Sequence, residues 1–197
     1  MKKYSQLADL ESLLLIIPDA NIRAYAQESV NAYYSGAYRS AIVSIWIAIV
    51  LDIYYKVRYL AEQYNDPASI KCIEDIEKIR KNTNLGKVAS WEREILDKAY
   101  KDIKMFTTIE FEDIDRIQKD RHRCAHPVMD SDELLFQPTP ELVRHYIRIA
   151  IEIVLSQPPT IGKALIDAIE NDVQSTYFPS EIDNVIKFLQ GRHLKPV

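Results

Sequence analysis

One segment of the chain, Ala37–Tyr64, keeps a helical spacing of apolar residues from end to end. Its apolar side chains lie nearly all round the predicted helix, and a helix of that kind is usually the central one of its fold. Within it the apolar stretch Ala41–Tyr55 is short and is interrupted by Ser44 and Asp52. The segment therefore predicts a buried core helix and not a membrane span.

Helix start and stop signals divide the rest of the chain. Pro18 ends a first amphipathic helix and Asp19 caps a second. A third start is Asp66-Pro67, where a cap precedes a first-turn proline. Thr107 and Glu110 have the spacing of a capping box, and Thr139-Pro140 opens a later helix.

No segment alternates with period two for long enough to predict a strand, and only four glycines occur among 197 residues. This composition excludes turn-rich all-β and glycine-linker architectures. We predict an all-α helical bundle with a long central apolar helix. Because 156–159 reads Ser-Gln-Pro-Pro, we predict a bundle over 1–156 and a C-terminal helical extension over 157–197, packed on the same domain.

The charge of the chain limits its partners. There are 25 basic against 29 acidic residues, a net charge of −4, which argues against electrostatic coating of duplex DNA and leaves nucleic-acid contact to a local patch. The two cysteines, Cys72 and Cys124, form no CxxC pair, and no secretory signal precedes them. We expect a reduced, cytoplasmic protein that does not enter a membrane.

The local patch lies near the predicted end of the helix that Thr107 opens. Between Arg116 and His126 there are four Lys or Arg residues against one acid, an excess of three positive charges. Two of the four histidines, His122 and His126, also lie here. Pro127 disfavours helical geometry at His126, so the helix should end near Ala125.

At these residues the sequence resembles the HEPN superfamily. The signature of that family is an arginine, a small polar residue and, after four to six intervening residues, a histidine; here Arg121, His122 and His126 match it. The segment 32–41, AYYSGAYRSA, is similar to the family's tyrosine- and glycine-containing entry into its central helix. The likeness covers roughly residues 20 to 155. The sequence departs from one toxin subgroup of the family, because Val128 stands where that subgroup has a tyrosine.

The resemblance implies a metal-independent endoribonuclease with no cofactor, in which the 2′-hydroxyl of single-stranded or loop RNA attacks its own phosphate. Arg121 would bind the phosphate through its planar fork, and His126 would move protons near neutral pH. The family setting further implies a toxin or anti-phage defence role, with a neutralising or triggering protein partner.

The spacing itself raises a geometric difficulty. Five positions at about 100° each place Arg121 and His126 roughly 140° apart around an ideal helix. They converge if His126 lies at the helix end and the arginine reaches round, or if two chains meet. Members of the family are typically dimers with facing motifs, and a symmetric pair supplies both an acid and a base. We therefore predict a homodimer.

Further residues are candidates for the same site. His122 is a supporting residue, and Lys119 and Arg123 are candidate phosphate contacts. Arg39 and Asp52 are candidate cleft residues, because a charged residue on an apolar helix usually has a partner or a function. Lys119 and Arg123 also fit a solvated helix face, and Arg39 and Asp52 also fit buried salt bridges. His122 and His126 have zinc-ligand spacing, but no third ligand follows, so we predict no metal site.

Three functions stay open at this point. The first is the ribonuclease, and the second is a catalytically inactive HEPN-like dimer that binds RNA, a nucleotide or a partner protein. The third is a helical interaction module with no ligand.

Overall fold

Every regular element in the described part of the chain is helical. The computed structural model of the protein describes residues 9–81, 91–125, 136–159, 169–170 and 172–192. Within these ranges eight α-helices and one π-helical segment follow one another, and no strand occurs. The helices are α1 (Leu10–Leu14), α2 (Ala20–Tyr34), α3 (Tyr38–Tyr64), α4 (Pro67–Lys81), α5 (Trp91–Lys101), α6 (Thr108–Ala125), α7 (Pro140–Ile149) and α8 (Ile182–Arg192). This confirms the predicted all-α fold.

The predicted central helix is α3, which has 27 residues. It is long and apolar enough to cross a membrane by those two measures alone, with a mean hydropathy of 1.7 over its best 18-residue window. However, 61% of that window is buried inside the protein, which is what a core helix requires. Its buried side chains include Ile42, Ile45, Trp46, Ile49 and Ile53.

The helix starts follow the capping residues that the sequence indicates. Asp19 Oδ1 accepts hydrogen bonds from the backbone N–H groups of Asn21 (2.8 Å) and Ile22 (3.0 Å). Asp66 accepts one from the N–H of Ser69 at 2.8 Å, and Thr139 accepts one from the N–H of Leu142 at 3.3 Å. Each cap satisfies a donor that the first turn of a helix leaves without an intrahelical partner.

The chain forms two compact units. The first takes in Met1–Tyr55 and Phe106–Gln157, and the second takes in Lys56–Met105 and Pro158–Val197. The boundary between Tyr55 and Lys56 falls within α3. The predicted division into 1–156 and 157–197 stays a prediction.

In the first unit, α1, α2 and α7 pack against one another. A buried hydrogen bond of 2.7 Å from the hydroxyl of Ser29 to the backbone carbonyl of Ala41 joins α2 to α3. Between these two helices Gly36 has φ +76°, a left-handed conformation that glycine adopts without strain. After α7 the chain continues as a π-helix, Ala150–Leu155.

In the second unit, α4 packs against α5. Lys98 of α5 reaches Asp75 of α4 at 3.1 Å beside the buried side chains of Cys72, Ile76, Ile95 and Leu96. The last helix, α8, has no buried residue. Gly191 lies within this helix.

Candidate functional site

The candidate site lies on the last turns of α6. A capping box at the start of this helix and buried side chains on one of its faces fix its position. At its start, the N–H of Thr107 donates to Glu110 Oε2 at 2.8 Å, and the N–H of Glu110 donates to Thr107 Oγ1 at 3.3 Å. This is the predicted capping box. Ile114 and Ile117 are fully buried and hold one face of the helix in the first unit. The helix is described as far as Ala125, so its predicted end near that residue stays a prediction.

A buried carboxylate organises the C-terminal part of α6. Asp120 is 7% exposed, and its Oδ2 accepts a 2.7 Å hydrogen bond from the hydroxyl of Tyr146 on α7. Its Oδ1 accepts a second, of 3.1 Å, from Nη1 of Arg123. Burial, followed by the hydrogen bond to Asp120, raises the pKa of Tyr146 far above its usual value. Tyr146 therefore stays protonated and acts as a donor at neutral pH.

Sequence reasoning missed both members of this pair as functional residues. A signal existed for Asp120, which follows Ile114 and Ile117 at three-residue spacing and so falls on the inward face of the helix. A charged residue on an inward face requires a partner. Nothing in the sequence identifies Tyr146 as that partner, because 26 positions separate the two residues.

Arg121, the predicted phosphate-binding residue, follows Asp120 directly. Its side chain is half-buried, and its Nε atom is out of contact with solvent. Arg121 interacts with other groups of the protein. His122 does so as well, although its side chain is exposed. The predicted catalytic His126 lies outside the described residues, so its position relative to Arg121 stays a prediction.

The cations around Arg121 are paired with acids on their own helix. Lys119 Nζ lies 2.7 Å from Asp115 Oδ2, and Arg116 Nη1 lies 3.8 Å from Asp113 Oδ1, while Arg123 binds Asp120. Two of these acids, Asp113 and Asp115, come before Arg116, the first residue of the segment from which the sequence predicts an excess of positive charge. The patch around Arg121 is therefore less positive than that count indicates, and Lys119 and Arg123 are less available to a ligand.

Arg39, on the first turn of α3, lies beside the end of α6. Burial and the carboxylate of Asp120 raise the pKa of the Cys124 thiol to about 11, and the positive charge of Arg39 opposes that shift. Cys124 and Arg121 are three residues apart on α6 and lie on neighbouring positions of one face. This electrostatic effect on Cys124 is what connects Arg39 with the end of α6, and its role in a cleft stays a prediction.

Asp52 does not join this group. It is 5% exposed and interacts with other groups of the protein. Thirteen residues of helix separate it from Arg39, a distance of about 20 Å along the axis of α3. Its proposed place in a cleft stays a prediction.

Among the described residues, no group of three or more His, Cys, Asp and Glu side chains is arranged to hold a metal ion. His126 lies outside that set, so the predicted absence of a His122–His126 metal site also stays a prediction.

Comparison with known proteins adds no relative. No family model matches the chain, and neither a curated protein nor a solved structure shows significant similarity to it.

Proposed function

We propose that this protein is a HEPN-like, metal-independent endoribonuclease that cuts single-stranded or loop RNA and acts as a homodimer. The observation that carries the proposal is the setting of Arg121. Its half-buried side chain follows a carboxylate that Tyr146 and Arg123 hold by hydrogen bonds of 2.7 and 3.1 Å. Because part of this side chain is already buried and its Nε atom is out of contact with solvent, it loses less conformational freedom when its planar fork binds two phosphate oxygens.

In the proposed reaction, the 2′-oxygen of one nucleotide attacks the adjacent phosphorus atom. The bond from phosphorus to the 5′-oxygen of the next nucleotide breaks, which leaves a 2′,3′-cyclic phosphate and a free 5′-hydroxyl. One group removes the proton of the 2′-hydroxyl, and another gives a proton to the departing 5′-oxygen. We assign these roles to His126 and the same residue of the second copy, and we assign the non-bridging phosphate oxygens to Arg121.

The remaining candidates have lesser roles. His122 is exposed beside Arg121 and supports phosphate binding, whereas Lys119 and Arg123 must leave their acidic partners before they can contact RNA. We further propose that the enzyme is cytoplasmic, on the cysteine pattern given above, and that it belongs to a toxin or anti-phage defence system with a neutralising or triggering protein partner, on the family resemblance.

One observation favours the alternative, a catalytically inactive dimer that binds RNA, a nucleotide or a partner protein. The three cations that flank Arg121 on α6 are ion-paired on their own helix. A site with a single strong cation per chain binds a phosphate more readily than it stabilises the doubly charged phosphorane of the cleavage reaction.

The deciding experiment is RNA cleavage in EDTA with a mixed pool of tRNA and single-stranded RNA. The parent protein, Arg121→Ala and His126→Ala are compared with Arg116→Ala, which removes the same charge from the same helix. We expect 2′,3′-cyclic phosphate ends from the parent and from Arg116→Ala, and none from the other two variants.

Circular dichroism and light scattering check that each variant is folded and has the oligomeric state of the parent. Cleavage that survives in both Arg121→Ala and His126→Ala would contradict the assigned site. A folded parent dimer that binds RNA but releases no cyclic phosphate would favour the inactive binding protein.

A further inference from the structure

A groove opens on the first unit beside the turn that connects α2 to α3. Its walls are residues 36–40 and 137–139, and its volume is about 630 Å³, within the range of ligand-binding sites in proteins. The groove is open to solvent. An open groove of this kind accommodates a stretch of polymer, whereas small metabolites are usually enclosed.

The lining of the groove suits an anion. Arg39 and Ser40 are both exposed, and Gln137 adds an amide on the opposite wall. None of the described residues that line the groove is acidic, although the chain as a whole carries a net charge of −4. In the described part of the chain Arg39 forms no ion pair, unlike Arg116, Lys119 and Arg123 on α6.

The groove also offers apolar surface. The ring of Tyr38 is half-buried and Pro138 is buried, and both line it. A guanidinium, a hydroxyl, an amide and an aromatic ring are the groups with which proteins bind single-stranded nucleic acid: the cation contacts a phosphate, and the ring contacts a base.

The position of the groove connects it to the proposed cleavage site. Arg39 is close enough to Cys124 to affect the pKa of its thiol, and Cys124 lies one helical turn after Arg121. A strand that places one phosphate at Arg121 therefore has a neighbouring part of its backbone near Arg39.

We infer that this groove binds the sugar–phosphate backbone of an RNA strand next to the cleavage site, with Arg39 as the residue that contacts a flanking phosphate. The inference rests on the proposed function for the identity of the ligand. Arg39 acts here in substrate binding and takes no part in proton transfer.

The test measures binding without cleavage. A fluorescent 12-nucleotide RNA with 2′-O-methyl groups at every position lacks the attacking hydroxyl, and its fluorescence anisotropy reports the Kd for the full-length protein. We expect Arg39→Ala to raise the Kd about tenfold, the loss of one charge-assisted contact. The slope of log K against log salt concentration should fall by about 0.7, the value for one phosphate on a single strand.

The matched control is Arg58→Ala. Arg58 is on the same helix and is half exposed, but it is paired with Glu62 at 3.0 Å. This variant removes the same charge and should leave the Kd and the salt slope unchanged. Circular dichroism and thermal unfolding confirm that both variants fold.

Equal Kd values for the parent and Arg39→Ala would overturn the inference, even if the parent cleaves RNA. A raised Kd for Arg39→Ala, together with no cleavage of ordinary RNA by the parent, would support RNA binding in the groove and contradict the proposed nuclease activity. A mononucleotide that binds as tightly as the 12-mer, with the same dependence on Arg39, would overturn the assignment to a strand.

Discussion

The hydroxyl of Tyr146 donates a 2.7 Å hydrogen bond to Oδ2 of Asp120, and both side chains are buried. This bond joins α7 to the last turns of α6 at the residue before Arg121. Since a buried carboxylate without partners is strongly unfavourable, the bond stabilises one arrangement of the two helices. It links the packing of the first unit to the position of the candidate site.

Replacement of Tyr146 by phenylalanine removes this donor and leaves the ring in place. We expect the free energy of unfolding to fall by about 1–3 kcal/mol, because Asp120 keeps only Arg123 as a partner. Urea denaturation at pH 7 measures the change. Tyr177→Phe is the control, since Tyr177 is 90% exposed, and it should change stability by less than about 0.5 kcal/mol. A Tyr146→Phe variant as stable as the parent would contradict the importance of the bond.

The same bond predicts a dependence on alkaline pH. The pKa of Tyr146 in the folded protein is raised above its ordinary value of 10.0, chiefly by burial. Its contribution to stability is therefore complete below pH 10 and is lost as the pH rises towards the folded pKa. Between pH 9 and 11 the parent should lose stability more steeply than Tyr146→Phe in urea titrations. Parallel curves of stability against pH for the parent and Tyr146→Phe would show that the pKa of Tyr146 is not raised.

Arg121→Lys keeps the positive charge but replaces a planar fork by a point charge. If Arg121 binds two phosphate oxygens, cleavage under single-turnover conditions should slow by at least about tenfold. Arg116→Lys makes the same exchange one and a half turns earlier on α6 and should cleave at the parental rate. Full activity in Arg121→Lys would mean that charge alone suffices at this position.

Gly36→Ala and Gly191→Ala should have opposite effects. Gly36 has φ +76° and no atom within 4 Å of an added Cβ, so the variant carries only backbone strain, about 1–2 kcal/mol. Gly191 lies in α8 in open space, where alanine favours the helix by up to about 1 kcal/mol. Thermal unfolding measures both variants. A lower melting temperature for Gly191→Ala would contradict its helical conformation.

Lys98 of α5 binds Asp75 of α4 at 3.1 Å, and this hydrogen bond is the main reason that the pKa of Asp75 is lowered. A lowered folded pKa contributes stability above the ordinary value of 3.8, which is lost as the pH falls through the folded value. Lys98→Met should remove about 0.5–1 kcal/mol at pH 7 and flatten the acid part of the stability curve.

Lys101→Met is the control for this ion pair. Lys101 is on the same helix, but it is 62% exposed and lies 3.8 Å from Asp97. Urea denaturation from pH 7 down to pH 3 should leave its curve parallel to that of the parent. Equal acid sensitivity in Lys98→Met and the parent would contradict the contribution of the pair.

The two thiols should resist alkylation in the folded state. Burial raises the pKa of Cys124 from 9.0 to about 11 and that of Cys72 from 9.0 to about 12. At pH 8 their thiolate fractions are then about a hundredfold and a thousandfold below that of an unperturbed thiol. Mass spectrometry after timed iodoacetamide treatment should show Cys124 modified before Cys72, and both modified much faster in urea. Rapid modification of Cys72 in the folded protein would contradict its burial.

The sequence by itself determined the helices and most of their starts. Asp19, Thr107 and Thr139 cap helices where predicted, because a capping side chain and its N–H partner are two or three residues apart. The central position of α3 follows equally well, since its apolar residues surround the helix. The role of Arg121 and the end of α6 near Ala125, which the local motifs also indicate, stay predictions.

The tertiary structure decided which of these residues meet. Tyr146 reaches Asp120 only because α7 and α6 meet in one particular arrangement, and Arg39 acts on the thiol of Cys124 only because the start of α3 comes near α6. It also decided that the chain from Ala150 to Leu155 is π-helical. The physical reason is range. Caps and helical periods depend on neighbours within about four residues, whereas a contact between helices depends on how many side chains pack together at once.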